Sequence, residues 1–240
     1  MDTAPTVVVQ DLARRGVLRA SINLGNPVLA QGAPDAPSGV TVDLAHEVGR
    51  RLAVPVELVC FDAARTSFEA VRNGGADLCF LAVEPARESD IAFTAPYVLI
   101  DGVYAVPRES PLTSVADVDQ VGITIGVKTG SAYDLYLTRT LAHATVVRGD
   151  EGVDAFRAEQ LGVAAGIRAP LTSYVAAHPD LRLIDEPFMQ IQQAVGVRAD
   201  RLPATLAFLR DLVEELKHSG FVQDALARSH QPTATVAPAR

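Results

Sequence analysis

The sequence predicts an α/β fold, on two observations. Short apolar runs bounded by Gly, Pro, Asn or Asp recur along the chain, too short for helices and suited to buried strands. Between them lie stretches whose apolar residues return every three or four positions, the spacing of one helix face. A length of 240 residues, 48% hydrophobic and 21% charged, makes this a globular chain with room for one large or two small domains.

Val7 to Leu18 is an amphipathic lead-in to a first strand, Leu18 to Asn23, which Leu24-Gly25-Asn26-Pro27 breaks sharply. Gln31 to Ser38, with Gly, Pro and Asp, is expected as a loop. Asp43 to Leu52 is a helix, because Leu44, Val48 and Leu52 recur on one face. Val54 to Phe61 is a second strand, and Ser67 to Arg72 a short helix stopped by Asn73-Gly74-Gly75. Further strands are expected over Val98 to Pro107, Gly122 to Val127, His143 to Val147 and Gly162 to Ile167. Thr129-Gly130-Ser131 turns into a helix through Tyr133, Leu137 and Leu141 with Ser131 as its N-cap, and a second helix lies around Val153 to Phe156. Arg182 to Ile184 and Phe188 to Val197 are strand-like. Ala204 to Lys217 is an amphipathic helix with Leu206, Leu209, Val213 and Leu216 inward, and Phe221 to Ala227 is a last short helix. Gln231 to Arg240, rich in Pro, Thr and Ala, is expected as a tail without order.

The stretch from Ala76 to Tyr97 carries the most chemistry. Leu78 to Val83, with Ala82 in it, reads as a buried strand, and Pro85 stands where a first helical turn begins, with Glu84 before it as a possible cap. Arg87 follows in that turn. At the carboxyl end of a strand in an α/β sheet, a guanidinium can grip a carboxylate through two parallel hydrogen bonds. The alternative is a surface Arg in an ordinary strand-to-helix turn.

Composition narrows the rest. A net charge of −8 argues against a nucleic-acid surface, where a basic face is expected. No apolar run approaches the ~20 residues of a membrane-spanning helix. Cys60 and Cys79 sit in apolar strand-like runs and read as reduced core residues, and the five histidines are scattered, so neither metal nor cofactor is expected.

Asp77, Pro85, Arg87, Phe93, Pro96 and Tyr97 fall in register with a pattern D, apolar run, T-P-E-R, F-S-x-P-Y, with Gly75 two residues before Asp77. On these residues the chain resembles the bacterial extracellular solute-binding proteins of the amino-acid type, family 3, the receptors of ABC importers. Gly39-Val-Thr-Val-Asp43 resembles the family's glycine before its first helix, and Val127-Lys-Thr-Gly-Ser131-Ala-Tyr133 its second-lobe G-S-T segment. The resemblance implies a type II periplasmic-binding-protein fold, two α/β lobes joined by a two-crossing hinge around a ligand cleft. Lobe 1 is then 1–103 with 196–229, lobe 2 is 104–195, and 230–240 is the tail.

The resemblance further implies a small polar solute, amino-acid-like or another carboxylate, delivered by a monomer to an ABC permease. Ligand contacts are expected from Asn23, Asn26, Phe61, Ala82, Glu84, Arg87, Gly130, Ser131, Ala132, Arg168 and Gln192. For Asn23 and Asn26 turn chemistry is an equal reading, and Phe61 reads also as a core aromatic. Arg87 is the expected carboxylate anchor, answered by the hydroxyl of Ser131 and neighbouring free amides. Arg168-Ala-Pro170 stands where amino-acid receptors carry an Asp for the ligand's ammonium. If Arg168 faces the cleft, two guanidiniums without a carboxylate partner favour a ligand with two anionic groups; if it faces solvent, it has no ligand role. Two alternatives stay open, a cyclohexadienyl-dehydratase-like enzyme with Glu84 as general acid and a solute-binding sensor without transport. The family implies the periplasm, but no leader pattern is visible in Met1-Asp-Thr-Ala-Pro5, which leaves the cytoplasm as the alternative.

Overall fold

The computed structural model describes residues 3–239. Met1, Asp2 and Arg240, which the N-terminal and tail readings include, lie outside the described residues. The chain opens with helix α1 (Thr6–Leu12), which buries Val8 and Leu12, and enters strand β1 (Leu18–Asn23). The expected loop at 31–38 is instead a hairpin, β2 (Gln31–Ala33) against β3 (Ala36–Ser38), with Ala33 opposite Ala36. Strands this short, built from Gln, Gly, Ala, Pro and Ser, carry no alternation to read. Helix α2 (Val40–Leu52) follows, then β4 (Val56–Phe61), α3 (Ala64–Arg72), the fully buried β5 (Leu78–Ala82) and the single turn α4 (Pro85–Glu88).

Strand β6 runs from Ile91 to Pro107, through Pro96, and so begins seven residues before the expected Val98. Beyond it lie β7 (Thr124–Lys128), α5 (Ala132–Thr140), β8 (Thr145–Gly149), α6 (Gly152–Ala158), β9 (Val163–Ile167) and α7 (Arg168–Ala176). The two strand-like segments after Arg182 merge into one strand, β10 (Leu181–Arg198). Helices α8 (Pro203–His218) and α9 (Phe221–Arg228) and the short strand β11 (Thr235–Val236) complete the chain.

The chain divides into two compact units, one of residues Met1–Leu99 with Gln192–Arg240 and one of Ile100–Ile191. In unit 1, β4, β1 and β5 are parallel and β10 runs antiparallel to β5, with Gln193 opposite Ala82. Parallel pairing puts the carboxyl ends of β4, β1 and β5, namely Phe61, Asn23 and Ala82, on one edge. Val71, Ala76, Cys79, Leu81, Ile91, Phe93 and Ala194 form an apolar cluster in which α3 meets the sheet. Cys60 and Cys79 are both free thiols.

The segment expected as an unordered tail is paired. Thr235 and Val236 lie antiparallel to Leu99 and Val98 of β6, and the Ala237 amide donates to the Tyr97 carbonyl at 3.0 Å. Lys217 Nζ donates to the Pro238 carbonyl at 3.0 Å, and Ala234 and Ala237 are buried. Two β-branched residues between small alanines suffice for one strand pair, a signal too short to separate from a polar tail.

In unit 2, β8, β7 and β9 are parallel, and β6 runs antiparallel to β9 with Gly102 opposite Ile167. Val103 and Ala105 of β6 join Phe156, Leu161, Ala164 and Leu171 in a core against α6 and α7. Tyr104 stacks on Phe188 at a ring separation of 4.2 Å. The carboxyl ends of β8, β7 and β9 again share an edge, where α6, α5 and α7 begin.

Candidate functional site

On the unit 1 edge, Arg87 sits at the third position of α4, immediately past the end of β5. It is 3% exposed, and its Nη1 donates to the carbonyl oxygen of Ala82 at 3.0 Å. Burial lowers its pKa from the usual arginine value, while Cys79 and Glu84 favour its charged form. The surface Arg of the alternative reading is therefore excluded. Pro85 begins the helix as expected, and Glu84 stands at the cap position, but its side chain makes no capping hydrogen bond. The expected capping role is thus corrected: its extended backbone (φ −138°, ψ 134°) starts the turn, and the carboxyl group is buried at 4% exposure.

Asn23 and Asn26 hold the turn after β1. Asn23 Oδ1 accepts from the Gly25 amide at 3.1 Å and Asn26 Oδ1 from the Val28 amide at 3.3 Å, the local bonding that makes Asn a turn former. A Cβ on Gly25 would stand 2.1 Å from the Asp62 carbonyl oxygen, so only glycine lets this turn lie against the end of β4. Phe61 is half-buried at that end, beside Asn23. Gln192 is exposed, and its carbonyl accepts from the Val83 amide at 2.9 Å. The fold thus gathers Asn23, Asn26, Phe61, Ala82, Glu84, Arg87 and Gln192 along one edge of one sheet.

On the unit 2 edge, Gly130 takes φ +69°, a conformation that favours glycine, and delivers the chain into α5. Ser131 is the N-cap, its Oγ accepting from the Asp134 amide at 3.1 Å. Asp134 in turn accepts from the Gly130 amide at 2.8 Å, and the Ser131 amide donates to the Lys128 carbonyl at 3.1 Å. The amides of 130 and 131, expected to be free for an anion, are therefore already engaged. Asp134 also holds Arg148 through Nε at 3.1 Å.

Arg168 is the first residue of α7, and it does not stand without carboxylate partners. Its Nε donates to Asp101 Oδ2 at 3.1 Å, its Nη1 to Asp185 Oδ1 at 2.6 Å, and its Nη2 to the Asp185 carbonyl at 2.6 Å. The expectation of an uncompensated guanidinium here is corrected by this clamp. Asp101 was absent from the sequence-based site. Its signal was an acid inside an otherwise apolar run, Val98-Leu-Ile-Asp101-Gly-Val-Tyr-Ala-Val106. Among the described residues, no group of three or more His, Cys, Asp and Glu could hold a metal ion.

Residues 22–230 match the family model described as bacterial extracellular solute-binding proteins, family 3. The chain belongs to that family. Among solved structures, a P235GK mutant of ArgBP from T. maritima is similar with a TM-score of 0.74 at 23% identity, covering 93% of this chain and 99% of that one. The solute receptor for L-cysteine of Neisseria gonorrhoeae gives 0.76 at 21% identity, covering 94% of each. The ancestral amino-acid-binding protein AncCDT-1, a precursor of cyclohexadienyl dehydratase, gives 0.73 at 17% identity, covering 92% and 97%. These likenesses show the fold, that of the type II periplasmic binding proteins. A curated relative, membrane-bound lytic murein transglycosylase F of Vibrio cholerae, is 30% identical over 88 residues, 37% of this chain. The match spans only 16% of that relative's length. Among the described residues of this family 3 chain, no helix is long and apolar enough to cross a membrane.

Proposed function

We propose that this chain is the solute-binding component of an ABC importer, acting outside the cytoplasm on a small polar solute that carries a carboxylate. The observation that carries the proposal is Arg87, a guanidinium withdrawn from water at the carboxyl end of β5. At the carboxyl end of a strand in an α/β sheet, a guanidinium can grip a solute carboxylate through two parallel hydrogen bonds. Asn23, Phe61, Ala82 and Gln192 on the same edge are proposed as its neighbours in binding. On the unit 2 edge, Ser131, Ala132 and Gly130 are proposed to contact the solute, with the Ala132 amide, in the first turn of α5, as the donor.

The family's extracellular description supports transport over a cytoplasmic sensor, and the amino-acid receptors among its structural relatives support a solute of that size. The experiment is a thermal-shift screen of the native chain against amino acids, dicarboxylates, keto acids and small phosphorylated acids. A solute at a hundredfold excess over its dissociation constant stabilises the fold by ~2.7 kcal/mol, a clear rise in melting temperature. A flat response across all four classes contradicts the receptor reading.

A second reading is an enzyme on the same scaffold. The specific observation in its favour is Glu84, buried and not spent on capping its own helix, where a general acid for elimination is wanted. Turnover of prephenate-like cyclic dicarboxylates, abolished by Glu84→Gln, supports it; the absence of turnover with those acids rejects it.

A further inference from the structure

We infer that Gln193 is a further solute-binding residue of the unit 1 edge, its side-chain amide meeting a hydrogen-bonding atom of the solute beside the carboxylate assigned to Arg87. The inference rests on the receptor reading above and specifies its ligand: the solute presents a polar atom close to its carboxylate.

Burial without a partner is the first ground. Gln193 is 5% exposed, yet no hydrogen bond engages its side-chain amide among the described residues. Hydroxyls buried in the same unit are engaged. Ser21 Oγ and Ser67 Oγ bond each other at 2.6 Å, and Thr41 donates to the Leu29 carbonyl at 3.1 Å. Thr94 donates to the Ala95 carbonyl and Thr205 to Asp11 Oδ2, both at 2.7 Å. A glutamine amide brings two donor hydrogens and an acceptor oxygen, and burying such a group unbonded is unfavourable. Neither of its amide atoms is fully sealed from solvent. The stem is withdrawn and the head is open, the state of a side chain whose partner comes from outside the fold.

Register is the second ground. Gln193 stands directly opposite Ala82, the last residue of β5, and residues so paired are neighbours on one sheet face. Ala194, opposite Leu81, lies with Leu81 and Cys79 in the apolar cluster against α3. Side chains alternate along a strand, so Gln193 and Ala82 share the other face, clear of that core. Gln192 is exposed, and its carbonyl fixes the pairing by accepting from the Val83 amide at 2.9 Å. Arg87 Nη1 donates to the Ala82 carbonyl at 3.0 Å. One cross-strand pair thus joins the residue that holds the guanidinium to the residue whose amide is unspent.

The two side chains divide the recognition. Arg87 supplies charge for the carboxylate. Gln193 is uncharged and adds direction, so it selects by hydrogen bonding and not by net charge. A site built to hydrogen-bond a solute rejects analogues that lack the matching atom, because its own polar group is then left unpaired.

The test combines melting curves with calorimetric titration of four carboxylates, L-alanine, glutarate, 2-oxoglutarate and 3-phosphoglycerate. Gln193→Met keeps the length of the stem and removes the amide. It is expected to melt at, or a few degrees above, the native temperature. It should bind the tightest of the four about tenfold or more weakly than the native chain. Gln193→Asn, with a shorter amide, should retain part of the affinity. Gln193→Glu, which sets a second carboxylate beside Arg87, should lose more than Gln193→Met. A marked fall in the melting temperature of Gln193→Met means that the amide holds the fold, and overturns the inference without any ligand. Undiminished affinity in Gln193→Met also overturns it and leaves the receptor reading standing. Binding by Gln193→Glu as tight as by Gln193→Met places the residue away from the carboxylate, with the same consequence. Failure of all four acids to bind the native chain contradicts the inference; if the broader screen is also flat, the receptor reading falls with it.

Discussion

Arg87 reaches back five residues to donate from Nη1 to the carbonyl oxygen of Ala82, the last residue of β5. The bond closes the strand-to-helix turn from inside, so the guanidinium is held where the strand ends rather than left to wave in solvent. It also means that the same side chain is both buried and charged, which is expensive for stability.

That expense is testable. Replacing Arg87 with Met keeps the length of the stem and removes the desolvated charge. Arg87→Met is expected to melt within a few degrees of the native chain or above it, while losing carboxylate binding. A large drop in melting temperature would mean that the charge holds the fold and that its ligand role is secondary.

Much of the fold is legible in the sequence because its strands are apolar runs cut off by turn residues. Leu18–Asn23 is bounded as expected, and Leu78–Val83 differs from β5 by one residue. Ser131 announces its cap by residue type and position. What is hidden depends on partners distant in sequence. Arg168 reads as an unpaired charge because Asp101 lies 67 residues earlier and Asp185 17 residues later. Glu84 reads as a cap because position alone cannot say where a carboxyl group turns. Asn23 and Asn26 show the opposite case: the turn chemistry expected of Asn is what the structure contains, and any ligand role would be added to it.

Asp11 provides a pH dependence. At the end of α1, its carboxylate accepts from the Leu202 amide at 3.0 Å and Thr205 Oγ1 at 2.7 Å, tying α1 to the start of α8. Burial acts to raise its pKa, but the hydrogen bonds from Thr205, Leu202 and Arg14, with the charge of Arg201, hold it below the ordinary aspartate value. A depressed folded-state pKa means stabilisation that is present above about pH 4 and is lost as pH falls through the folded value. Asp11→Asn should cost about 1–3 kcal/mol at neutral pH. Its acid melting profile should fall less steeply below pH ~4 than the native one. Parallel profiles would remove Asp11 from the acid response.

The C-terminal strand offers a local test. Deleting residues 231–240 removes the pairing of β11 with Val98 and Leu99, the Ala237–Tyr97 bond and the Lys217–Pro238 bond. Amide exchange around Tyr97 to Leu99 should speed up while protection in β7 of unit 2 stays unchanged. Uniform loss of protection would show that the segment supports the global fold instead of one strand.

The most direct measurement is calorimetric titration of the native chain, Arg87→Ala and Arg87→Lys with the tightest carboxylate solute from the thermal screen, at matched melting behaviour. The expected result is saturable binding by the native chain, none detectable for Arg87→Ala, and weakened binding for Arg87→Lys, which keeps the charge and loses the bidentate fork. Undiminished affinity in Arg87→Ala would contradict the assignment of Arg87 as the carboxylate anchor.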